Sequence, residues 1–146
     1  MTDSAREIEN LLYTYAARVD AGDLDGVAAL LEHGRIRGSE DGPPAVFTGS
    51  AGVRQMFSMA IHLYEDETPK TKHFTTNVLV EVDDDGRTAR SAANYLVTQA
   101  TPTLPLQVIV TGRYQDTFQR IDDAWWFDTR TMFVDQRGDT SHHLKF

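Results

Sequence analysis

Hydrophobic residues recur at helical spacing in the first half of the chain and at alternate positions in the second half. Up to Tyr64, apolar side chains return every three or four residues, which is the period of an amphipathic helix. From Thr71 onward the period is two, which is typical of strands. Helices that precede a run of antiparallel strands indicate an α+β fold.

The first predicted helix begins at Ser4 and ends near Gly22. Ser4 and Glu7 match a capping box, and Gly22 is suited to a left-handed helix end. Its apolar face consists of Ile8, Leu11, Leu12, Tyr15, Ala16 and Val19.

Two further helices are predicted before Pro69. Asp23 is placed to cap a short helix that closes near Gly34, and Ser50 is placed to cap a third helix whose end is marked by Pro69. Between them, residues 35–48 contain two glycines and two prolines. This composition predicts two short extended segments around a turn.

The second half of the chain predicts a four-stranded antiparallel meander. A sheet bent over the helices would leave one concave pocket between the layers. We therefore expect a single domain over residues 1–146, with a cone-shaped curved antiparallel sheet on three helices. The predicted strands are Thr71–Val82, Thr88–Gln99, Leu106–Gln119 and Trp125–Val134, with a loop at Thr101–Pro105.

Composition narrows the choice of partners. The 146 residues include 22 acidic and 14 basic side chains, and the formal net charge is −8. This charge disfavours nucleic acid and anionic membranes, because both are bound by basic patches. The chain has no cysteine, so it has neither a disulfide nor a thiolate site. With no signal-like N-terminus and no long apolar run, we expect a cytoplasmic protein.

The strand Thr71–Val82 carries the most informative polar pattern. Strict alternation places His73, Thr75, Asn77 and Leu79 on one face. A histidine and an asparagine beside a leucine suit the wall of a pocket better than a dry core. The opposite face would carry Phe74, Val78, Val80 and Val82.

Five short motifs follow one another in a set order along the chain. They are Tyr15 with Val19–Asp23, Phe47–Gly49, His73–Asn77, Gly112–Asp116, and Trp125–Phe127 with Arg130. This ordered set resembles the SnoaL-like and scytalone dehydratase-like branch of the nuclear transport factor 2-like superfamily. The resemblance implies a cone fold with one pocket, in a group that includes dehydratases, isomerases, cyclases and non-catalytic binders.

Asp20 and His73 are the candidate catalytic residues. Asp20 follows Leu12 and Ala16 on the apolar stripe, so it should lie at the inward end of the first helix. In scytalone dehydratase-like enzymes the matching residues pair in the pocket. A carboxylate that accepts from one imidazole nitrogen leaves the other free to take a proton. The alternative, a helix-capping aspartate and a core histidine, remains open.

The chain departs from the dehydratase pattern at three points. Val19 stands where that pattern has a tyrosine beside the aspartate, and Gly38 lies near the expected place of a second tyrosine. The strand Thr88–Gln99 contains no histidine, although the dehydratase has one there. The possible base and its orienting carboxylate are thus retained without the groups that clamp the substrate.

Six residues are candidates for substrate binding within a largely apolar cavity. Asn77 could donate to a substrate carbonyl or bond to a nearby loop. Arg130 could hold an anionic group or balance Asp20, but a structural ion pair is the favoured interpretation. The six are Tyr15, Phe57, Tyr64, Asn77, Tyr95 and Arg130, and Met56, Ala60 and Leu79 are expected beside them.

Two classes of function fit these residues. The first is a cofactor-independent lyase or isomerase that acts on a hydrophobic cyclic ketone or hydroxy compound. The second is a non-catalytic binding or accessory subunit with the same pocket. No phosphate cradle, nucleophile elbow, haem signature or flavin signature occurs, and no metal site is predicted. The adjacent His142 and His143 are interpreted as a solvated tail.

Assembly is predicted from the last strand and from the resemblance. Members of this fold family commonly dimerise through the convex face of the sheet. An exposed aromatic sheet face suits a homodimer or a higher oligomer, although burial of these side chains in the core is an equal alternative. The face in question carries Trp125, Phe127, Thr129, Thr131 and Phe133.

Overall fold

The computed structural model describes residues 3–38 and 45–146 and has the predicted α+β architecture. The turn predicted between the two short extended segments falls at residues 39–44, outside the described residues. The helices are α1 (Ser4–Asp20), α2 (Leu24–Leu30) and α3 (Gly49–Ala60). The strands are β1 (Arg35–Gly38), β2 (Val46–Thr48), β3 (Thr71–Val82), β4 (Thr88–Thr101), β5 (Leu104–Ile121) and β6 (Ala124–Arg137).

The ends of α1 differ in how well the sequence predicted them. Asp3, rather than Ser4, is the N-cap, and its carboxylate accepts from the backbone N–H of Arg6 at 3.3 Å. A carboxylate one residue upstream takes the capping role and leaves Ser4 inside the helix. Gly22 has the predicted positive φ of 71°. A Cβ there would lie 1.8 Å from the carbonyl oxygen of Glu67, so only glycine fits.

The predicted N-cap is correct for α2 and wrong for α3. Asp23 caps α2 by accepting from the backbone N–H of Gly26 at 2.9 Å. The N-cap of α3 is Thr48 without a side-chain hydrogen bond, so the predicted cap at Ser50 is wrong. α3 also ends at Ala60, well before Pro69, because the chain turns extended at Ile61.

The described strands form one sheet in the order β2-β1-β6-β5-β4-β3. The last four strands are antiparallel neighbours, as the meander predicted. The short hairpin extends this sheet, because β1 pairs with β6 in parallel. The predicted loop at 101–105 is instead a tight turn, with Thr101 paired to Leu104.

Two β-bulges reverse which side chains face the helices. At Asn77, whose φ is 55°, the β3–β4 register shifts by one residue between Thr76 and Leu79. His73 and Thr75 therefore point inward, whereas Leu79 is 72% exposed and Val80 takes the inward position. The predicted inward positions of Asn77 and Leu79 are wrong for this reason.

The second bulge lies in β6 at Asp128. Thr117 pairs with Thr129, but Phe118 pairs with Phe127, so Asp128 is the extra residue. Trp125 and Phe127 are consequently buried on the inner face, and Arg130 and Met132 take that face after the bulge. The predicted outward placement of Trp125 and Phe127 is wrong, and the core alternative is correct.

The helices cover one face of the sheet and seal one end of it. α1 packs on β3 and β6, and α2 packs on α3. Each large apolar side chain that is buried by this packing contributes about 1.5–3 kcal/mol to the free energy of folding. The fully buried set includes Ile8, Leu12, Val27, Leu31, Ile36, Val53, Ile109 and Phe127. This packing fixes the C-terminal end of α1 against β3, where the candidate catalytic dyad of Asp20 and His73 lies.

Candidate active site

A cavity of about 770 Å³ lies between the concave face of the sheet and the helices. Its walls are mainly aliphatic and aromatic, which is usual for a site that binds a small organic molecule. α1, α3 and all six strands contribute side chains or backbone to it, together with the segment after β6. The lining includes Tyr15, Val19, Met56, Phe57, Ala60, His73, Tyr95, Val97, Tyr114, Met132, His143 and Leu144.

Asp20 and His73 form a hydrogen-bonded pair at the edge of this cavity. The last residue of α1 brings its carboxylate to the start of β3, where Nδ1 of His73 lies 2.6 Å from Oδ1 of Asp20. A carboxylate only accepts, so Nδ1–H donates and Nε2 is the nitrogen left for other partners. Both side chains are largely buried.

The dyad is held rigid by two further hydrogen bonds to Asp20. Its Oδ2 accepts the backbone N–H of His73 at 2.8 Å, and its Oδ1 accepts the Thr71 hydroxyl at 2.9 Å. Burial alone would raise the pKa of Asp20. The hydrogen bonds from His73 and Thr71 and the charge of His73 outweigh burial and lower that pKa. Asp20 is therefore ionised at neutral pH and fixes the tautomer of His73.

The other predicted site residues divide into two groups. Tyr15, Phe57 and Tyr95 line the cavity, together with the expected Met56 and Ala60. Tyr64 does not, because its hydroxyl donates to the backbone carbonyl of His142. Asn77 is exposed at the bulge in β3. Their predicted place in the pocket is wrong.

Arg130 lies beneath the cavity and pairs with Asp116. Its Nε and Nη2 each donate to the carboxylate at 3.0 Å, and both side chains are wholly excluded from solvent. Burial opposes the charge of Arg130, but the carboxylate outweighs it and raises the pKa of the guanidinium. The structural ion pair favoured from the sequence is thus present, with Asp116 rather than Asp20 as the partner.

Two tyrosines pack against this cation, and a third stacks on one of them to complete the cavity floor. The guanidinium carbon lies 3.6 Å from the ring centroid of Tyr114 and 4.3 Å from that of Tyr15. Tyr95 stacks on Tyr114 at 4.4 Å, and burial raises the pKa of both Tyr15 and Tyr114. These two phenols therefore stay neutral. A Cβ on Gly112 would lie 2.5 Å from the Tyr95 ring, so glycine is needed for this stack.

His143 is a cavity residue that the sequence reasoning missed. It is only 6% exposed, and its ring centroid lies 6.2 Å from that of His73. Burial, together with the nearby His73, lowers the pKa of His143 to about 4. The expected solvated tail is wrong for this residue. One weak signal was available: Thr140, His143 and Leu144 follow the helical spacing of a single buried turn.

Neither a metal cluster nor a membrane-spanning helix was found in the described ranges. Residues 3–38 and 45–146 contain no group of three or more His, Cys, Asp or Glu side chains that could hold a metal ion. Within the same ranges, none of the helices has the length and apolarity that crossing a membrane requires.

The bent sheet, the helices packed on it and the apolar cavity between them together define a nuclear transport factor 2-like, cystatin-like fold. The chain belongs to the SnoaL-like domain family, whose model matches residues 1–131. This match confirms the family resemblance that the motifs indicated. None of the curated proteins is significantly similar to the chain in sequence.

Solved structures support the fold at low sequence identity. A variant of Rv3472, a protein of unknown function from Mycobacterium tuberculosis, is 24% identical, with a TM-score of 0.72 over 93% of this chain and 74% of that chain. A nuclear transport factor 2-like protein with a cystatin-like fold from Novosphingobium aromaticivorans is 19% identical, with a TM-score of 0.73 over 89% and 80%. A candidate scytalone dehydratase from the same organism is 20% identical, with a TM-score of 0.70 over 92% and 86%.

Proposed function

We propose that this protein is a cofactor-independent lyase or isomerase that acts on a hydrophobic cyclic ketone or hydroxy compound. The observation that carries the proposal is the 2.6 Å contact between Nδ1 of His73 and Oδ1 of Asp20 at the wall of an apolar cavity. A buried, oriented imidazole whose second nitrogen is available is the arrangement required for a general base.

In this proposal His73 removes a proton from the carbon next to a carbonyl group. Asp20 holds the imidazole in the tautomer whose Nε2 has a lone pair, and it stabilises the imidazolium that forms. The same imidazolium then returns the proton to another carbon, which gives isomerisation. Alternatively, it donates the proton to a departing hydroxyl, which gives water and an unsaturated ketone.

The cavity walls support a flat, apolar substrate. Tyr15, Phe57, Tyr95 and Tyr114 present aromatic surface, and the basic side chains among the described lining residues are His73, Arg137 and His143. Few convergent polar groups in an apolar cavity fit a ring compound better than a sugar or a nucleotide. The net charge of −8 likewise disfavours phosphorylated ligands.

A second candidate function is non-catalytic ligand binding. Val19 lines the cavity with an aliphatic side chain where the dehydratase pattern has a tyrosine, and Gly38 also lines it without a side chain. A cavity without these hydroxyls holds a hydroxylated substrate by fewer hydrogen bonds. This observation favours a protein that binds a ring compound without converting it.

The experiment that separates the two functions uses a β-hydroxy ketone built on α-tetralone. Loss of water from this compound yields α-naphthol, which is followed by its absorbance. We expect the wild-type protein to form α-naphthol and His73→Ala to lose this activity by roughly 100-fold or more. Binding measured by thermal shift in both proteins, with no product from either, would establish the binder instead. Stabilisation by sugar phosphates and not by tetralones would contradict both.

We also propose that the chain acts as one SnoaL-like domain over residues 1–146, as a homodimer in the cytoplasm. The outer face of the sheet supports dimerisation. Phe74, which is 48% exposed, pairs across strands with Leu96, and Phe133 lies on the same face beneath Arg113 at 4.7 Å. This aromatic patch replaces the face predicted around Trp125 and Phe127.

A further inference from the structure

His143 lines the same cavity as His73. Its ring is inclined by 70° to that of His73, at a centroid separation of 6.2 Å. Nδ1 of His143 is buried and has no hydrogen-bond partner among the described residues. A buried polar atom without a partner is costly, and a catalytic role is one of the explanations for such a group.

Backbone hydrogen bonds on both sides hold this histidine in place. Its carbonyl accepts the N–H of His62 at 2.8 Å, and its own N–H donates to the carbonyl of Thr140 at 3.0 Å. Lys145 donates its N–H to the carbonyl of Ala60, and Leu144 bridges to Ile61. The segment after β6 is therefore attached to the end of α3 and forms a fixed wall of the cavity.

The surroundings of His143 keep it neutral at physiological pH. Burial is the largest cause of its low pKa, His73 and His62 add to the effect, and Asp20 opposes it. A neutral imidazole is a weak acid but a good hydrogen-bond donor. A preorganised donor in an apolar site stabilises negative charge that develops on an oxygen atom.

We propose that His143 is a second catalytic residue, which donates a hydrogen bond to the carbonyl oxygen of the ring ketone while His73 removes the neighbouring proton. This inference rests on the proposed function and specifies how its site would stabilise the intermediate. The C–H electron pair becomes the C=C bond of an enolate, and the carbonyl oxygen takes the charge beside the N–H of His143. The proton resides on His73 until it returns to carbon or leaves with hydroxide as water.

The test measures exchange of the α-protons of α-tetralone for deuterium in D2O by NMR, which requires no leaving group. We expect His143→Phe, which lacks a donor, to lower the exchange rate roughly 100-fold relative to the wild type. His143→Gln, which keeps an N–H, should retain part of the rate. His142→Gln is the matched control and should exchange at the wild-type rate, because His142 lies outside the cavity lining.

A second readout distinguishes failure of this inference from failure of the proposed function. Wild-type exchange in His143→Phe, with loss in His73→Ala, would overturn the role of His143 and leave the dyad intact. If exchange is absent or does not depend on His73, the proposed function fails.

In that case, the role of His143 as a hydrogen-bond donor is tested by binding alone. The measured quantity is the ratio of the affinity for α-tetralone to the affinity for its hydrocarbon analogue tetralin. A ratio that falls in His143→Phe supports a hydrogen bond from His143, and an unchanged ratio excludes it. His143→Met replaces the phenylalanine variant if that variant does not fold.

Discussion

Asp116 and Arg130 are joined by two hydrogen bonds of 3.0 Å, although neither side chain has any contact with solvent. Removing both charges from water is costly, and their mutual attraction offsets this cost only while both remain. The pair also carries Tyr15 and Tyr114 on its faces, at 4.3 and 3.6 Å from the guanidinium carbon. It therefore couples the stability of the sheet to the shape of the cavity floor.

Replacing Arg130 by methionine should strongly destabilise the protein. The substitution leaves the Asp116 carboxylate buried without its partner, which typically costs about 3–5 kcal/mol. The free energy of unfolding from urea titration measures this loss. Arg90→Met is the control, because Arg90 pairs with Glu81 and Asp83 on the surface and should change little. Equal effects of the two substitutions on the free energy of unfolding would show that the buried pair is no more important for stability than a surface pair.

Asp20→Asn should reduce catalysis without unfolding the protein. An amide can still accept the backbone N–H of His73, but it no longer stabilises an imidazolium or fixes the tautomer. We expect exchange of the α-protons of α-tetralone to fall roughly 100-fold. Asp66→Asn, on the surface beside Lys70, serves as the control. A variant that retains the wild-type rate would remove Asp20 from the mechanism.

Stability should fall as the pH is lowered from about 6.5 to about 4, in part because of His143. In this window the unfolded chain binds a proton at this histidine and the folded protein does not, so protonation favours unfolding. His143→Gln should flatten the pH dependence of the unfolding free energy there. The carboxylates titrate equally in both proteins and cancel in the difference. Parallel curves for the two proteins would contradict the buried, neutral state.

Asp20 acts in a separate and more acidic window. Its pKa is lowered in the folded protein, so its contribution to stability is present above the ordinary value of 3.8 and is lost as the pH falls below it. Asp20→Asn should thus alter the acid limb of the unfolding free energy below about 4, where the folded His143 also becomes protonated.

Asn77 should matter for the backbone and not for the ligand. Its positive φ of 55° costs most side chains about 1 kcal/mol, and asparagine and glycine tolerate it best. We expect Asn77→Gly to keep the wild-type stability and Asn77→Ala to lose roughly that amount. Both should bind α-tetralone like the wild type in a thermal-shift titration. Loss of binding in either variant would show that Asn77 does contribute to the ligand-binding site.

The proposed dimer should have twice the monomer mass of 16.4 kDa by light scattering at micromolar concentration. Phe74→Glu places a charge in the aromatic patch of the outer sheet face and should shift the protein towards the monomer. Tyr13→Glu on α1, another exposed aromatic position, should leave the mass unchanged. A monomer in the wild type would refute the assembly.

The sequence predicted those features that short-range rules determine. β3 begins and ends at the predicted residues, and Asp20 meets His73 because both lie on regular elements whose faces follow from spacing. The bulges at Asn77 and Asp128 could not be predicted, since one inserted residue leaves the hydrophobic pattern of each half strand intact. His143 was missed because its position depends on hydrogen bonds to α3 and Ile61 that are distant in sequence.

The attachment of the segment after β6 has a consequence for protein engineering. The family model matches residues 1–131, a range that includes Asp20 and His73, and His143 lies outside that range. Side-chain substitutions among residues 138–146 can remodel one wall of the cavity while the backbone hydrogen bonds that attach this segment to Ala60 and His62 are kept. This stretch is therefore a natural first region to randomise when new ring compounds are sought.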